Sequence, residues 1–236
     1  MHALYMTDSY LKEFTATVKS AKDGKYVVLD RTAFYPSGGG QPHDTGFMER
    51  LADGKRFHVV FTGKFSGEIS HEVSEPGLKE GDEVKGTIDW ERRHKLMRYH
   101  TAAHIIAGII HEKTGAMITG NQLDADKSRI DFSIEHYDQE LIRKCILEAD
   151  DKAAGGAEVR MSFITPQEAA KNPNLSRLAK GLPPGIKEIR MVDICGIDCQ
   201  ADGGTHVKNT REIGKIEFLR CENKGKDNRR VYFSII

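Results

Sequence analysis

Residues 89–115, Asp-Trp-Glu-Arg-Arg-His-Lys-Leu-Met-Arg-Tyr-His-Thr-Ala-Ala-His-Ile-Ile-Ala-Gly-Ile-Ile-His-Glu-Lys-Thr-Gly, lie where the hydrophobic pattern of the chain changes. Apolar side chains recur here every three or four residues, which is the spacing of one face of an α-helix. Asp89 is a suitable N-cap, and Gly115 just beyond the last periodic residue is typical of a helix C-terminus. The stretch therefore predicts a long helix. We place a domain boundary at its start, between 1–89 and 90–236.

The residues before this helix predict a small β-barrel. Short runs rich in Val, Ile, Phe and Thr are separated by Gly pairs or Pro-Gly steps, and many short strands at such spacing are typical of a barrel or sandwich. The loop 35–42, Tyr-Pro-Ser-Gly-Gly-Gly-Gln-Pro, contains Gly38, Gly39 and Gly40, which permit a tight hairpin turn or a close approach to a partner. The predicted strands are 14–19, 26–30, 56–61, 68–73 and 83–89.

The residues after the helix mix strands and helices without regular βαβ alternation, which predicts an α+β domain. Thr165 and Glu168 form a capping box that predicts the start of a short helix, and Pro173 is expected to end that helix. A Pro-Pro-Gly step marks 180–185 as a loop. The other predicted elements are a helix at 138–152 and strands at 128–134, 186–194, 214–221 and 230–236.

The composition excludes several classes of protein. Lys plus Arg number 35 and Asp plus Glu number 35 in 236 residues, so the formal net charge is zero, and the mean hydropathy is −0.50. This balance is unlike that of disordered chains, and no stretch approaches the roughly 18 apolar residues of a membrane span. The N-terminus lacks a signal peptide's basic start and apolar core, which predicts a cytoplasmic protein without a membrane partner, whose four cysteines are reduced.

Three histidines are spaced so that they could bind a metal ion. His100 and His104 lie one helical turn apart, so their imidazoles project from the same side of the predicted helix. His206 follows a Gly-Gly turn, with Asp202 four residues and Cys199 seven residues before it. A pair on a helix plus a ligand on a turn is a common way to build a zinc site. The His-Glu-x-x-His motif of zinc peptidases and a serine nucleophile elbow are both absent.

Three motifs together resemble one family. His-Thr-Ala-Ala-His at 100–104, Asp-Gly-Gly-Thr-His-Val at 202–207 with Glu-Ile-Gly at 212–214, and the Gly-rich loop followed by Asp-Thr-Gly at 44–46 look like the editing domain of alanyl-tRNA synthetase. A free-standing chain of this length is similar to the medium-length alanyl-tRNA editing proteins called AlaX. The resemblance implies a β-barrel followed by an α+β editing domain, Zn²⁺ as cofactor, and hydrolysis, in trans, of tRNA(Ala) wrongly charged with serine or glycine.

The second motif departs from the family pattern, which has Cys-x-x-x-His where this chain has Asp202 and His206. Asp202 could bind zinc directly through oxygen, Cys199 could reach the metal instead, or water could fill the fourth position while Asp202 orients it. We favour direct ligation because it keeps the four-residue spacing to His206. Cys195 and Cys199 are then expected to be small buried side chains. The predicted metal ligands are His100, His104, Asp202 and His206.

The bound metal would polarise an ester carbonyl or activate a water molecule. We predict Asp202 and Thr101 as catalytic residues, although the Thr101 hydroxyl could equally brace a metal ligand. The polar stretch 119–122 is predicted to be a loop, either an ordinary turn or part of a pocket whose hydroxyl and amide groups recognise serine. The predicted substrate-binding residues are Thr119, Asn121, Gln122 and Thr205.

With zero net charge, affinity for tRNA must come from local basic patches that contact phosphate. Two such clusters stand at the start of the long helix and in a late loop that also contains Lys224 and Lys226. The alternative function is a non-catalytic tRNA-binding module, expected if Asp202 fails as a ligand and the metal is lost. Whether the Gly-rich loop touches substrate or only braces the site stays open. The predicted RNA contacts are Arg92, Arg93, Lys95, Arg98, Arg229 and Arg230.

Overall fold

The computed structural model describes residues 2–135, 138–171, 175–177 and 188–236. The chain divides into two compact units, 1–95 and 96–236, a few residues beyond the boundary predicted from the change of pattern.

The first unit is built on the closed antiparallel barrel that the sequence predicts. Its strands are β1 (His2–Ala3), β2 (Glu13–Lys22), β3 (Tyr26–Leu29), β4 (Arg31–Thr32), β5 (Gly46–Arg50), β6 (Arg56–Phe65), β7 (Glu68–Val73) and β8 (Glu83–Ile88). The barrel runs in the order β2, β3, β7, β6, β5, β8, and β1 pairs in parallel with β4 beside it. A 3-10 turn at Leu4–Met6 follows β1. Strand β5 was not predicted, although it closes the barrel between β6 and β8.

Alternation along the strands directs apolar side chains into the barrel. In β7, for example, Ile69, His71 and Val73 are buried and the residues between them are more exposed. Gly86 in β8 makes room for the ring of Phe14, since a Cβ there would lie 2.4 Å from a ring carbon. The apolar residues of this core with no exposed surface are Val27, Leu29, Ala33, Phe34, Met48, Phe57, Val59, Val73 and Val84.

The Gly-rich loop forms a tight turn. Gly38 and Gln41 exchange backbone hydrogen bonds of 3.2 and 2.9 Å, and the hydroxyl of Tyr35 donates to the carbonyl of Gly38 at 2.9 Å. Gly39 and Gly40 between them have φ values of 58° and 85°, which only glycine adopts without strain at two successive positions. Gly39 and Gly40 therefore suit the backbone of the turn itself, whereas Gly38 has no positive φ.

Arg93 is buried, so its predicted contact with RNA is wrong. Its side chain has no exposed surface, and its guanidinium binds the carboxylate of Asp44 and donates to the carbonyls of Ser9 and Ala33. The same Asp44 carboxylate accepts a hydrogen bond from the amide of Tyr35 at 2.6 Å. The guanidinium thus has its partners inside the first unit and is not exposed to a phosphate.

The long helix α1 (Trp90–Thr114) starts and stops where the sequence predicts. Asp89 accepts a hydrogen bond from the amide of Arg92 at 3.2 Å, as an N-cap does. At the other end Gly115 has a φ of 70° and donates to the carbonyl of His111 at 2.7 Å. This helix begins in the first unit and continues into the second, where it supplies the first part of the candidate site.

The second unit combines helices with two antiparallel sheets. Its elements are β9 (Ile118–Gln122), β10 (Ser128–Phe132), α2 (Gln139–Ala154), β11 (Val159–Ile164), α3 (Pro166–Ala169), β12 (Ile189–Ile194), β13 (Asp198–Ala201), a 3-10 turn at Thr210–Ile213, β14 (Ile216–Asn223) and β15 (Arg229–Ile235). One sheet has the order β14, β15, β10, β9 and the other the order β11, β12, β13. The capping box predicted at Thr165 is present, and Asp138 is the N-cap of α2.

Several expectations for this unit are wrong. Residues 119–122 belong to β9 rather than to a loop, because they pair with β10. Strands β11 and β13 were not predicted. Cys199 is exposed and Cys195 half-buried, because the β12–β13 hairpin that carries them turns these side chains outward. The stop at Pro173 and the loop at 180–185 lie outside the described residues. None of the helices in the described part of the chain has the length and apolar character needed to cross a membrane.

Candidate metal centre

Helix α1 presents His100 and His104 on one side, as their spacing predicts. The ring centroids are 5.2 Å apart, and the side chains are 3% and 13% exposed. Thr101, between them in sequence, is fully buried. Because the helix holds the two histidines at a fixed separation, a ligand from elsewhere in this unit can complete a common site.

The segment after β13 supplies the remaining members, Asp202 and His206. The buried guanidinium of Arg190 on β12 holds this segment by donating to the carbonyls of Asp202 and Gly204 at 3.0 and 2.9 Å. The amide of Gly204 in turn donates to the Asp202 carboxylate. Sequence reasoning missed Arg190. The signal for it was a basic residue within the mostly apolar strand Ile189–Ile194, whose other charged residue is Asp193.

The four side chains converge on one point. Among the described residues, His100, His104, Asp202 and His206 form a group whose potential ligand atoms all lie within 4.8 Å of one another. Asp202 Oδ1 lies 3.5 Å from His100 Nε2 and 3.8 Å from His104 Nε2, and Asp202 Oδ2 lies 3.2 Å from His206 Nε2. Ligands bonded at about 2.0–2.1 Å to a four-coordinate ion stand about 3.4 Å apart. The donor set therefore fits a metal ion.

The ionisation of the group suits metal binding. Burial lowers the pKa of His100 to about 4 and that of His206 well below its ordinary value. Burial opposes ionisation of Asp202 too, but the neighbouring His100 and hydrogen bonds from His104 and His206 hold its pKa well below the usual range. Neutral imidazoles and an ionised carboxylate are the forms that bind metals.

His104 differs from the other two histidines. Burial lowers its pKa, but hydrogen bonds with Asp198 and Asp202 outweigh burial and raise the pKa to about 9. A metal ion entering the group must therefore displace a proton from His104, so metal binding should weaken as the pH falls.

Thr101 is in direct contact with a member of the group. Its Oγ1 lies 3.0 Å from the carbonyl oxygen of Met97 and 3.2 Å from His206 Nδ1, and it accepts from the amide of Val207 at 3.3 Å. We assign the single hydroxyl hydrogen to Met97, because a carbonyl can only accept. In the metal-bound form the Nδ1–H of His206 would then donate to Thr101, and Nε2 would be the ligand atom. Thr101 thus braces a predicted metal ligand, one of the two roles expected for it.

Asp198 and Arg177 stand behind His104, and sequence reasoning missed both. Asp198 Oδ2 lies 3.1 Å from His104 Nδ1, and Asp198 Oδ1 binds the guanidinium of Arg177. No spacing or composition singled out either residue, because their association depends on the packing of β13 against α1.

The predicted substrate residues have contacts of their own. The hydroxyl of Thr119 donates to Asn228 at 3.0 Å, and the side-chain oxygen of Gln122 accepts from Arg129 at 3.2 and 3.3 Å. Asn121 is half-buried, and Thr205 is fully buried next to His206. Their part in substrate recognition stays a prediction.

Arg229 resembles Arg93 in being buried, so its predicted contact with RNA is also wrong. Its guanidinium donates to backbone carbonyls, including those of Glu135 and Gly225, and closes the β14–β15 turn. Arg98 donates to the carbonyl of Ile213, and Arg230 forms a bidentate pair with Asp131. The side chains of Arg92, Lys95, Arg98 and Arg230 are half-buried, and their contact with RNA stays a prediction.

Two family models match separate parts of the chain. Residues 4–92 match the model described as tRNA synthetases class II (A). Residues 189–232 match the threonyl and alanyl tRNA synthetase second additional domain, a range that includes Arg190, Asp198, Asp202 and His206. The candidate centre thus combines helix α1 with a segment typical of two kinds of synthetase.

Curated relatives match nearly the whole chain. The alanyl-tRNA editing protein AlaX-M of Methanosarcina mazei is 50% identical over 99% of this chain and 96% of its own. That of Saccharolobus solfataricus is 45% identical over 98% of both chains. The alanine–tRNA ligase of Thermoplasma acidophilum is 38% identical over 98% of this chain, which covers 26% of the ligase. With such identity along the full length of the editing proteins, the chain belongs to the AlaX-M family of alanyl-tRNA editing proteins.

Proposed function

We propose that this protein is a zinc-dependent hydrolase that removes wrongly attached serine, and also glycine, from tRNA(Ala), acting in trans on the released tRNA. The observation that carries the proposal is the convergence of three imidazoles and one carboxylate within 4.8 Å. The names of its relatives and the synthetase domain matched at 189–232 support tRNA(Ala) as the substrate.

The donor set favours zinc. Imidazole nitrogen and carboxylate oxygen are ordinary zinc ligands, and the separations within the group suit a four-coordinate ion. We propose that His100, His104, His206 and Asp202 hold the ion, with Asp202 as a direct ligand. When bound, Zn²⁺ would supply a Lewis acid at the ester carbonyl.

The protein's own residues orient this centre. Arg190 fixes the segment from Asp202 to Gly204, and Thr101 fixes the imidazole of His206. Asp202 and His104 are 16% and 13% exposed, so an aminoacyl ester would approach from their side. Asp202 could in addition accept a proton from the attacking water, which is the catalytic role predicted for it, while Thr101 acts through His206.

We propose that the residues that select the substrate lie on strand β9 and on the segment that follows β13. Thr119, Asn121, Gln122 and Thr205 carry the hydroxyl and amide groups that would recognise the hydroxyl of serine. Arg92, Lys95, Arg98 and Arg230 are the remaining candidates for phosphate contacts. Charged tRNA is a cytoplasmic molecule, and we propose the cytoplasm as the place of action.

A deacylation assay tests the proposal. Ser-, Gly- and Ala-tRNA(Ala) are incubated with the purified protein, with and without a chelator, and the chelated sample is then resupplied with Zn²⁺. We expect release of serine and glycine but little release of alanine, loss of activity with chelator, and recovery with zinc. The alternative, a non-catalytic tRNA-binding module, predicts tRNA binding without release of any amino acid. The intact donor set favours the hydrolase.

A further inference from the structure

A buried ion pair lies directly behind one of the proposed metal ligands. The carboxylate of Asp198 is 1% exposed, and its Oδ2 lies 3.1 Å from His104 Nδ1. Its Oδ1 binds the guanidinium of Arg177, whose side chain is 19% exposed. Both oxygens of this carboxylate are therefore directed, one to a histidine and one to an arginine.

Both residues of the pair are tied to neighbouring strands by hydrogen bonds. The amide of Arg177 donates to Gln200 Oε1 at 2.7 Å, and its carbonyl accepts from the amide of Ile118 at 2.8 Å. Asp198 begins strand β13, where it pairs with Ile194. These contacts fix the backbones that carry the two charges.

Helix α1 leaves room for the pair. Gly108 follows His104 by one turn, and a Cβ at Gly108 would lie 3.3 Å from Arg177 Nη1 and 3.6 Å from Asp198 Oδ1. A larger side chain at this position would press on the ion pair. The absence of a side chain at 108 thus lets the carboxylate reach the histidine on the preceding turn.

We infer that Asp198, clamped by Arg177, is a positioning residue that holds His104 with its Nε2 toward the metal. A carboxylate only accepts hydrogen bonds, so the contact with Asp198 places the His104 hydrogen on Nδ1 and leaves Nε2 as the ligand atom. Nε2 is also the atom that lies 3.8 Å from Asp202. This inference rests on the proposed metal-dependent function, and it adds residues outside the three sequence motifs.

Substitution of Asp198 by Asn is the most direct test. The guanidinium of Arg177 can only donate, so it draws the amide oxygen and leaves the amide NH₂ facing His104. That arrangement requires an unprotonated Nδ1 and moves the hydrogen to Nε2, which blocks the ligand atom. We expect the affinity for Zn²⁺, measured by competition with a chromophoric chelator on the full-length protein, to fall about 10- to 100-fold.

Asp131→Asn is the matched control. Asp131 is also a buried carboxylate of the second unit, bound by Arg230 and Arg129, and it is not a member of the metal group. Its substitution should leave the affinity for Zn²⁺ unchanged while removing a comparable ion pair.

A double substitution separates positioning from general damage. In Asp198→Asn with Arg177→Leu, the amide is free to turn its oxygen toward His104, so the affinity for Zn²⁺ should rise again relative to the single variant. A merely structural role predicts the reverse, because the double variant removes more interactions than the single one. Recovery supports the inference, and a further loss of affinity contradicts it.

The unsubstituted protein supplies a second measurement that does not depend on how any variant folds. Long-range ¹H–¹⁵N spectra of the zinc-loaded protein, assigned with His104→Gln, report which nitrogen of His104 carries the hydrogen. We expect Nδ1–H. A hydrogen on Nε2, or equal zinc affinity in folded Asp198→Asn and the unsubstituted protein, overturns the inference. Failure of the unsubstituted protein to bind zinc at all would instead overturn the proposed function.

Discussion

The guanidinium of Arg93 and the carboxylate of Asp44 form an ion pair with almost no exposed surface, 0% and 1% for the two side chains. Arg93 Nε lies 2.9 and 3.0 Å from the two carboxylate oxygens. The Asp44 carboxylate also accepts a hydrogen bond from the amide of Tyr35, and the backbone amide of Asp44 donates to the carbonyl of Tyr35. The pair therefore joins the first turn of α1 to the residues on either side of the Gly-rich turn, Tyr35 before it and Asp44 after it.

Replacement of Arg93 by Met should destabilise the first unit strongly. It leaves the Asp44 carboxylate buried without its counter-charge, which typically costs about 3–5 kcal/mol. Urea unfolding followed by the fluorescence of Trp90, which lies in the same unit, measures the change. Arg31→Met is the control, because Arg31 pairs with Asp30 while 55% exposed, and its loss should cost less than about 1 kcal/mol. Equal effects of the two substitutions would contradict this account.

This pair also marks a limit of reading charge from sequence. Arg92, Arg93, Lys95 and Arg98 form one basic cluster along the chain, but successive helix positions point about 100° apart, so neighbours in sequence face different surroundings. Arg93 is buried and Arg92 half-buried for this reason. Only the fold reveals which basic side chains already have internal partners.

The metal group was easier to predict than its surroundings. Its members are tied to local rules: one helical turn between His100 and His104, and a glycine turn before His206. Asp198 and Arg177 obey no such rule. Asp198 contacts His104 only because β13 packs near α1, and Arg177 binds Asp198 from the separate segment 175–177. Edge strand β9 was missed because Gly120 and Asn121 have low strand propensity, and pairing with β10 overrides it.

Stability of the first unit should depend on pH through His71. Its Nδ1 lies 2.9 Å from the carbonyl oxygen of Val27 and its Nε2 2.9 Å from the hydroxyl of Thr32, inside the barrel. Burial lowers its pKa from 6.5 to about 4. Between pH 6.5 and 4 the unfolded chain binds the proton that the folded chain excludes, so stability is complete above pH 6.5 and falls as the pH drops toward 4. The full effect is about 3 kcal/mol.

Unfolding free energies measured from pH 4 to 7.5 for the unsubstituted protein and His71→Gln isolate this contribution. Subtracting the two curves cancels the other titrating groups, and the difference should change by the predicted amount, with the unsubstituted protein losing more stability in acid. His58→Gln, on the exposed side of β6, is the control and should preserve the original slope. A flat difference curve for His71→Gln would refute the prediction.

Metal removal should lower the thermal stability of the second unit. A ligand at 100 times its dissociation constant stabilises the folded state by about 2.7 kcal/mol, so zinc should raise the Tm relative to a chelated sample. His104→Ala should abolish this difference. His111→Ala, on the same helix but bonded to the carbonyl of Ala116, should retain it. Calorimetry of the three proteins with zinc or chelator checks the prediction, and a zinc-dependent Tm in His104→Ala would contradict it.

Thr101 is expected to act through His206. Thr101→Val preserves the shape of the side chain but removes the acceptor for His206 Nδ1–H and for the amide of Val207. Leaving these buried groups unpaired should cost about 1–3 kcal/mol of stability, and loss of the orienting contact should weaken zinc binding about 10- to 100-fold. Thr101→Ser keeps the hydroxyl and should restore both. Unchanged zinc affinity in the Val variant would remove Thr101 from the centre.

Asp202→Cys tests whether this carboxylate binds the metal or serves only as a base. A thiolate is an accepted zinc ligand, so a direct role predicts that the variant still binds zinc and still releases serine from Ser-tRNA(Ala). Its Co²⁺ form should gain a thiolate-to-metal charge-transfer band that the unsubstituted protein lacks. Asp202→Ala should lose affinity for zinc, because three imidazoles remain without the anionic ligand. If Asp202→Cys binds zinc but is inactive, the carboxylate has a separate role as a base. If Asp202→Ala binds zinc as tightly as the unsubstituted protein, Asp202 is no ligand, and a water molecule takes its place beside the three histidines.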